Sequence, residues 1–130
     1  MTTPELKKIL YAEDEEDIRS IAKIALEDIG MFTVKYCADG AEVLEVAKGF
    51  APQLLLLDVM MPRLDGPSTL RELRKIPEFL TTPAIFMTAK IQPEEIAEYK
   101  RLGAIDVINK PFDPLTIADH IKQLWNKCHG

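Results

Sequence analysis

Long apolar runs are missing from this chain of 130 residues, and so are clusters of the side chains that hold transition metals. No stretch approaches the roughly 20 consecutive apolar residues needed to cross a bilayer, which excludes a transmembrane helix. Met1 to Lys7 lacks the hydrophobic segment of a secretory signal, so a cytoplasmic protein is expected. Cysteine occurs twice, at Cys37 and Cys128, and histidine twice, at His120 and His129. That leaves neither a disulfide framework nor a Cys/His ligand set, and both cysteines are expected to be free thiols. Basic excess is missing too: 16 lysines and arginines stand against 21 acids, a net charge of −5, and they are scattered without a stripe. This balance opposes attraction to a polyphosphate backbone, so direct nucleic-acid binding is not expected, and neither is a membrane contact. With no linker, repeat or low-complexity segment, one domain over 1–130 is expected, with 1–7 a short tail and no effector domain following.

What is present is organised around Leu54-Leu55-Leu56-Leu57-Asp58-Val59-Met60-Met61-Pro62, an apolar run that ends on a carboxylate. Leucines without polar alternation read as a strand covered on both faces, the habit of a central strand in a parallel sheet. Around it, short apolar runs alternate with helical periodicity. Lys8 to Ala12 is a first strand, followed by a helix carrying Ile18, Ile21, Ala22, Ala25, Leu26 and Ile29 and stopped by Gly30. Thr33 to Ala38 is a second strand closed by Asp39-Gly40, and Val43, Leu44 and Ala47 form a helical stripe ending near Gly49 and Pro52. After the leucine strand, Pro67 opens a helix with Leu70 and Leu73. Ala84 to Thr88 is a fourth strand, Pro93 to Leu102 a helix closed by Gly103, and Asp106 to Lys110 a fifth strand. The last helix carries Ile117, Ala118, Ile121, Leu124 and Trp125. Five strands alternating with five helices predict a doubly wound α/β domain: a five-stranded parallel sheet, order 2-1-3-4-5, in a flavodoxin-like three-layer sandwich.

In such a sheet the carboxyl ends of the strands frame the ligand crevice, and the first and third strands are neighbours there. Glu13 and Asp14 follow the first strand, Asp58 ends the third, Thr88 the fourth and Lys110 the fifth. An Asp after a strand is often only a turn former, and acids in a first helical turn, here Glu15, Glu16 and Asp17, complement the helix dipole. Three acids, a hydroxyl and one lysine at one edge is a more specific set. A carboxylate attacking phosphorus joins two anions, so the site must first neutralise charge. Two acids beside Asp58 could hold Mg²⁺, which prefers a few carboxylate oxygens plus water and a phosphoryl oxygen. Lys110 adds a positive charge for one equatorial oxygen, and Thr88 with the Ala89 N–H can donate to another.

The motifs Glu13-Asp14, Leu57-Asp58-Val59-Met60-Met61-Pro62 with Asp65-Gly66, Met87-Thr88-Ala89, Gly103-Ala104 and Lys110-Pro111-Phe112 resemble those of the receiver domains of two-component response regulators. The likeness is greatest to the small chemotaxis-type regulators and covers essentially the whole chain. It implies a phosphorylation-dependent switch with Asp58 as phosphoacceptor, Mg²⁺ held by Glu13, Asp14, Asp58 and the backbone carbonyl of Met60, Thr88 as the switch hydroxyl and Lys110 pairing with the phosphoryl group. It implies a histidine kinase as donor, a cis Lys110-Pro111 bond, and output through protein contacts on the fourth helix, fifth strand and fifth helix of a monomer or weak dimer. An alternative is a phosphorelay intermediate that passes its phosphoryl group to a histidine phosphotransfer protein. One departure stands out: Val107 occupies the fifth-strand position where relatives usually place a Tyr or Phe that swings as the switch is thrown.

Other classes fit the same residues less well. An aspartate-nucleophile phosphatase of the haloacid dehalogenase type needs an acid two residues after its nucleophile, where this chain has Met60. An FMN-binding flavodoxin needs hydroxyls and free N–H groups after the first strand, and Glu13 to Asp17 would repel its phosphate. A purely structural domain leaves the strand-end set unexplained. The chain is therefore expected to be a regulatory phosphoacceptor, not an enzyme of fast turnover.

Overall fold

The three strands that carry most of the predicted site coincide with their sequence-derived limits in the computed structural model, which describes residues 4–129. They are β1 (Lys8–Ala12), β3 (Leu54–Asp58) and β4 (Ala84–Thr88); β2 (Thr33–Cys37) and β5 (Ala104–Asn109) complete the sheet. The order is β2-β1-β3-β4-β5, and every pairing is parallel. Every residue of β3 and β4 is buried, as continuous apolar runs require in a sheet covered on both sides. Alternation along each strand then sorts side chains to two cores. One packs Tyr11, Leu56, Ile85 and Ile108 against Ala22, Leu26, Ile121 and Trp125 of the first and last helices. The other packs Leu10, Leu57, Phe86 and Val107 against Val43, Leu70 and Tyr99 of the middle three.

The helices are α1 (Glu16–Ala22), α2 (Gly40–Phe50), α3 (Gly66–Leu73), α4 (Pro93–Arg101) and α5 (Ile117–His129). Local chemistry sets their ends. Asp39 and Asp65 each accept the backbone N–H three residues on, at Glu42 and Ser68, and so cap α2 and α3. Ala51 closes α2 in the left-handed conformation and Gly103 turns the chain after α4 at φ 95°.

Two expectations need correction. The first helix is not uniformly α: beyond Ala22 it widens into a π-helical segment, Lys23–Ile29. The stripe expected to be internal is only partly so: Ala22, Ala25 and Leu26 are buried, whereas Ile21, still in the α-helical part, and Ile29, at the end of the wider winding, are 45% and 46% exposed. Strand β5 begins at Ala104, two residues before the expected Asp106, because Gly103 completes its turn at once and Ala104 pairs directly with Ala84.

Candidate functional site

Sheet order brings the ends of β1 and β3 side by side, with β4 and β5 following, so residues far apart in sequence meet at one edge. Glu13, Asp14 and Asp58 each offer a carboxylate oxygen, all within 4.8 Å of one another. Glu13 is wholly buried and Asp58 is 4% exposed, whereas Asp14 faces solvent. Lys110 neutralises the two buried acids together: its Nζ donates to Glu13 Oε1 and to Asp58 Oδ2, each at 2.8 Å. Burial alone would pull the lysine pKa down, but hydrogen bonds and charge from Asp58 and Glu13 outweigh it and hold the pKa above the usual lysine value. The second Glu13 oxygen accepts the Glu15 N–H at 3.2 Å.

The β3–α3 loop is built to hold Asp58 close. Gly66 N–H donates to the Val59 carbonyl at 3.0 Å, and a Cβ on Gly66 would lie 2.4 Å from the Asp58 carbonyl oxygen. Only glycine lets α3 start against the Asp58 backbone. Met60 N–H reaches back to Asp58 Oδ1 at 3.3 Å. A crevice of about 570 Å³ opens over the cluster, lined by the polar Asp14, Asp58 and Lys110 and by the apolar Ile18, Ile21, Met60, Ala89, Pro111 and Phe112. The Lys110–Pro111 peptide is cis, as the resemblance implied. Thr88 sits at the same edge, 8% exposed, but its hydroxyl is turned to Lys90, exchanging 3.2 Å hydrogen bonds with that residue's backbone N–H and carbonyl.

All seven residues singled out from the sequence, Glu13, Asp14, Asp58, Met60, Thr88, Ala89 and Lys110, thus lie around one edge. Sequence reading missed two neighbours of this edge, Arg63 and Tyr11, and a clamp at the opposite, amino-terminal edge of the sheet, Arg74. Arg63, in a left-handed conformation at φ 67°, pairs with the buried Asp39 and ties the β3–α3 loop to the start of α2. Arg74 clamps the carbonyls of Phe79 and Thr82, each at 2.7 Å, and those of Leu102 and Gly103, both at 3.3 Å. Tyr11 buries its hydroxyl beside the acids; burial first, then the charges of Glu13 and Asp58, push its pKa up. The Arg63 and Arg74 contacts join separate elements, and no local pattern announces them.

The acids fit a hard divalent cation: three carboxylates converge with the spacing of oxygen ligands around one small ion, and among the described residues no cysteine or histidine joins the cluster. A doubly wound sheet whose switch point carries lysine-bridged acids, with no phosphate cradle after β1, defines a CheY-like α/β domain. The chain belongs to the response regulator receiver domains, whose family model matches residues 9–122. It is 36% identical over 93% of its length to the alkaline phosphatase synthesis transcriptional regulatory protein PhoP of Bacillus subtilis, covering 49% of that protein. It is 37% identical over 88% of its length to the regulator of RpoS of Escherichia coli, covering 34% of it. The chain therefore spans half or less of the length of these relatives. Among solved structures it superposes on the chemotaxis protein CheY4 of Vibrio cholerae with a TM-score of 0.85 at 29% identity, covering 92% of this chain and 99% of that one. The receiver domain of Francisella response regulator 1452 gives 0.82 at 30% identity, with 94% and 98% covered. Receiver domains are regulatory phosphoacceptor domains of two-component systems that bind Mg²⁺ at an acidic pocket, so this chain serves phosphorylation-dependent signalling.

Proposed function

We propose that Asp58 accepts a phosphoryl group from a histidine kinase, or from a small acyl phosphate, and that the resulting change at the β4 and β5 ends alters a partner-binding surface. The observation that carries this reading is the shared lysine: Lys110 holds Glu13 and Asp58 together while Asp14 completes the three-carboxylate cluster. An Asp58 carboxylate oxygen attacks phosphorus in line; a P–O bond forms as the donor's P–N bond breaks, and the electron pair leaves on the imidazole nitrogen. Glu13, Asp14, Asp58 and the Met60 carbonyl would hold Mg²⁺, which supplies positive charge to the phosphoryl oxygens. Lys110 already stands 2.8 Å from Asp58 and moves its ammonium onto an equatorial oxygen. Ala89 offers its N–H from the crevice wall, and Thr88 exchanges its bonds with Lys90 for one to the phosphoryl group.

The acidic surface supports output by contact with a protein, not by direct binding of polyphosphate, although several relatives are named as transcriptional regulators. A phosphorelay intermediate is the second reading, and the open apolar crevice wall beside Asp58 favours it, since a phosphotransfer helix needs such a surface. Acetyl phosphate with Mg²⁺ is expected to add one phosphoryl mass to the wild type and none to Asp58→Asn, which is isosteric and keeps the fold. Stoichiometric labelling of that variant in intact-mass spectrometry would place the acceptor elsewhere.

A further inference from the structure

Tyr11 carries a buried side-chain polar atom that makes no hydrogen bond within the described residues. It is the penultimate residue of β1, two before Glu13, and is wholly buried. Its ring packs 6.2 Å from that of Tyr36, whose own hydroxyl is committed to Glu27. The charges of Glu13 and Asp58 both bear on the Tyr11 hydroxyl, and Glu13 lies near enough to act on it as a hydrogen-bonding neighbour, although no bond of ordinary geometry is formed in the resting state. Native interiors rarely leave such a group unpartnered, because burial strips it of water and returns nothing.

Glu13 has the complementary difficulty. It has no exposed surface, one strong donor in Lys110 at 2.8 Å, and one long bond from Glu15 N–H at 3.2 Å. The lysine is shared with Asp58. A phosphoryl group on Asp58 draws the ammonium by charge, and Glu13 then loses its one strong hydrogen bond and keeps, beside whatever oxygen it gives to a cation, only the long bond from Glu15 N–H.

We propose that Tyr11 is a positioning residue for the acidic site, its hydroxyl donating to the Glu13 carboxylate when Lys110 turns to the phosphoryl group. This rests on the reading of Asp58 as the acceptor. One movement then resolves both features, since the orphan hydroxyl of the resting state becomes the partner of the carboxylate that the lysine leaves. A carboxylate has capacity for this bond and for a cation together.

The test uses the full chain with beryllofluoride and Mg²⁺ as the phosphoryl mimic. In wild type labelled with ¹³Cζ-tyrosine, the Tyr11 resonance is expected to move on addition of the mimic. Tyr11→Phe is expected to melt in EDTA at or above the wild-type temperature, yet to need about tenfold more beryllofluoride for half-saturation, the loss of one hydrogen bond to a charged group. Equal half-saturation, an EDTA melting temperature lowered as much as that of the loaded form, or an unmoved Tyr11 resonance overturns the proposal. If Tyr11→Phe does not fold, the wild-type resonance decides alone. A wild type that takes neither beryllofluoride nor a phosphoryl group sinks the reading of Asp58 itself; one that takes both with Tyr11 unmoved sinks only this inference.

Discussion

Lys110 does two jobs with one ammonium group. Among the described residues it is the only cation paired with Glu13 or Asp58, and it contacts both while its own side chain is 13% exposed. Removing one partner of a buried set is worse than never having built it, because the remaining charges keep their desolvation cost and lose their compensation. Lys110→Met, which keeps the aliphatic stem, is therefore expected to lose about 3 kcal/mol of stability in EDTA, measured by urea denaturation. Mg²⁺ should restore a larger share of stability to the variant than it adds to the wild type, since a divalent cation among the carboxylates takes over the neutralising role. An unchanged urea midpoint would mean that water reaches Glu13 and Asp58 well enough to replace the lysine. The two cysteines illustrate how far environment separates chemically identical groups. Cys37 is buried at the end of β2, where burial and then the charge of Glu42 push its pKa up to about 12, while Cys128 is exposed on α5.

At the level of elements, tethers between loops decide how the site edge is held. Asp39 caps α2 by accepting the Glu42 N–H and also receives the Arg63 guanidinium. The Glu42 N–H first, then Arg63, holds the Asp39 carboxyl below its ordinary value. A depressed carboxylate contributes stability that is present above its unfolded pKa, about 4, and lost as pH falls through the folded value. Asp39→Asn retains a capping oxygen but not the charge, so it should be less stable than wild type at pH 6, and the gap should close towards pH 2 in urea melts. A gap that stays constant with pH would assign the effect to packing. The α4 side shows a different solution to a packing problem. Val107 pairs with Phe86 across β4 and β5, and Tyr99 from α4 packs on Phe86 at a ring separation of 4.8 Å. The aromatic volume beside Val107 comes from Phe86 and from Tyr99 of the helix, and valine itself is stiff about its one side-chain torsion. Val107→Tyr is accordingly expected to overpack this cluster and cost about 2 kcal/mol, and Tyr99→Ala to leave a cavity costing about 3 kcal/mol. The double variant should be more stable than the sum of the two losses predicts, by about 1 kcal/mol or more in a double-mutant cycle. Strict additivity would show that the two side chains do not compete for one space. The sequence showed valine at 107 and an apolar Tyr99, but their shared pocket depends on how α4 lies over β4 and β5.

Across the whole molecule, what could be read from the chain and what could not divide along sequence separation. Buried apolar runs and turn residues act locally, which is why β1, β3 and β4 end where the pattern ends and why Asp65 and Pro67 mark the start of α3. The strand-end acids and lysine were legible because sheet topology carries them to one edge whatever the details. The pairing of Lys110 with Glu13 spans 97 positions, and the π winding of Lys23–Ile29 occurs in a segment whose Ala25 and Leu26 share a core with Ile117, Ala118 and Ile121 of α5. Neither leaves a periodic signal. Charge is the property that couples these scales. The chain carries −5 overall, and at the crevice it gathers three carboxylates around one lysine. Glu13 and Asp58 are compensated by Lys110, but among the described residues no basic side chain pairs with Asp14. Two unit charges about 5 Å apart repel by roughly 1 kcal/mol at the dielectric of water and about 3 kcal/mol at an effective value of 20. Because Asp14 is exposed, the lower figure applies, and salt weakens it further. Asp14→Asn is therefore expected to raise the melting temperature in EDTA at low ionic strength, with the gain shrinking as salt is added. The same change removes a ligand oxygen's charge, so the Mg²⁺-dependent rise in melting temperature, which follows the logarithm of cation concentration over its dissociation constant, should fall well below that of the wild type. Thermal melts at several Mg²⁺ and salt concentrations separate the two effects. A variant that melts no higher in EDTA and responds to Mg²⁺ like the wild type would mean that Asp14 neither crowds Glu13 and Asp58 nor holds the cation.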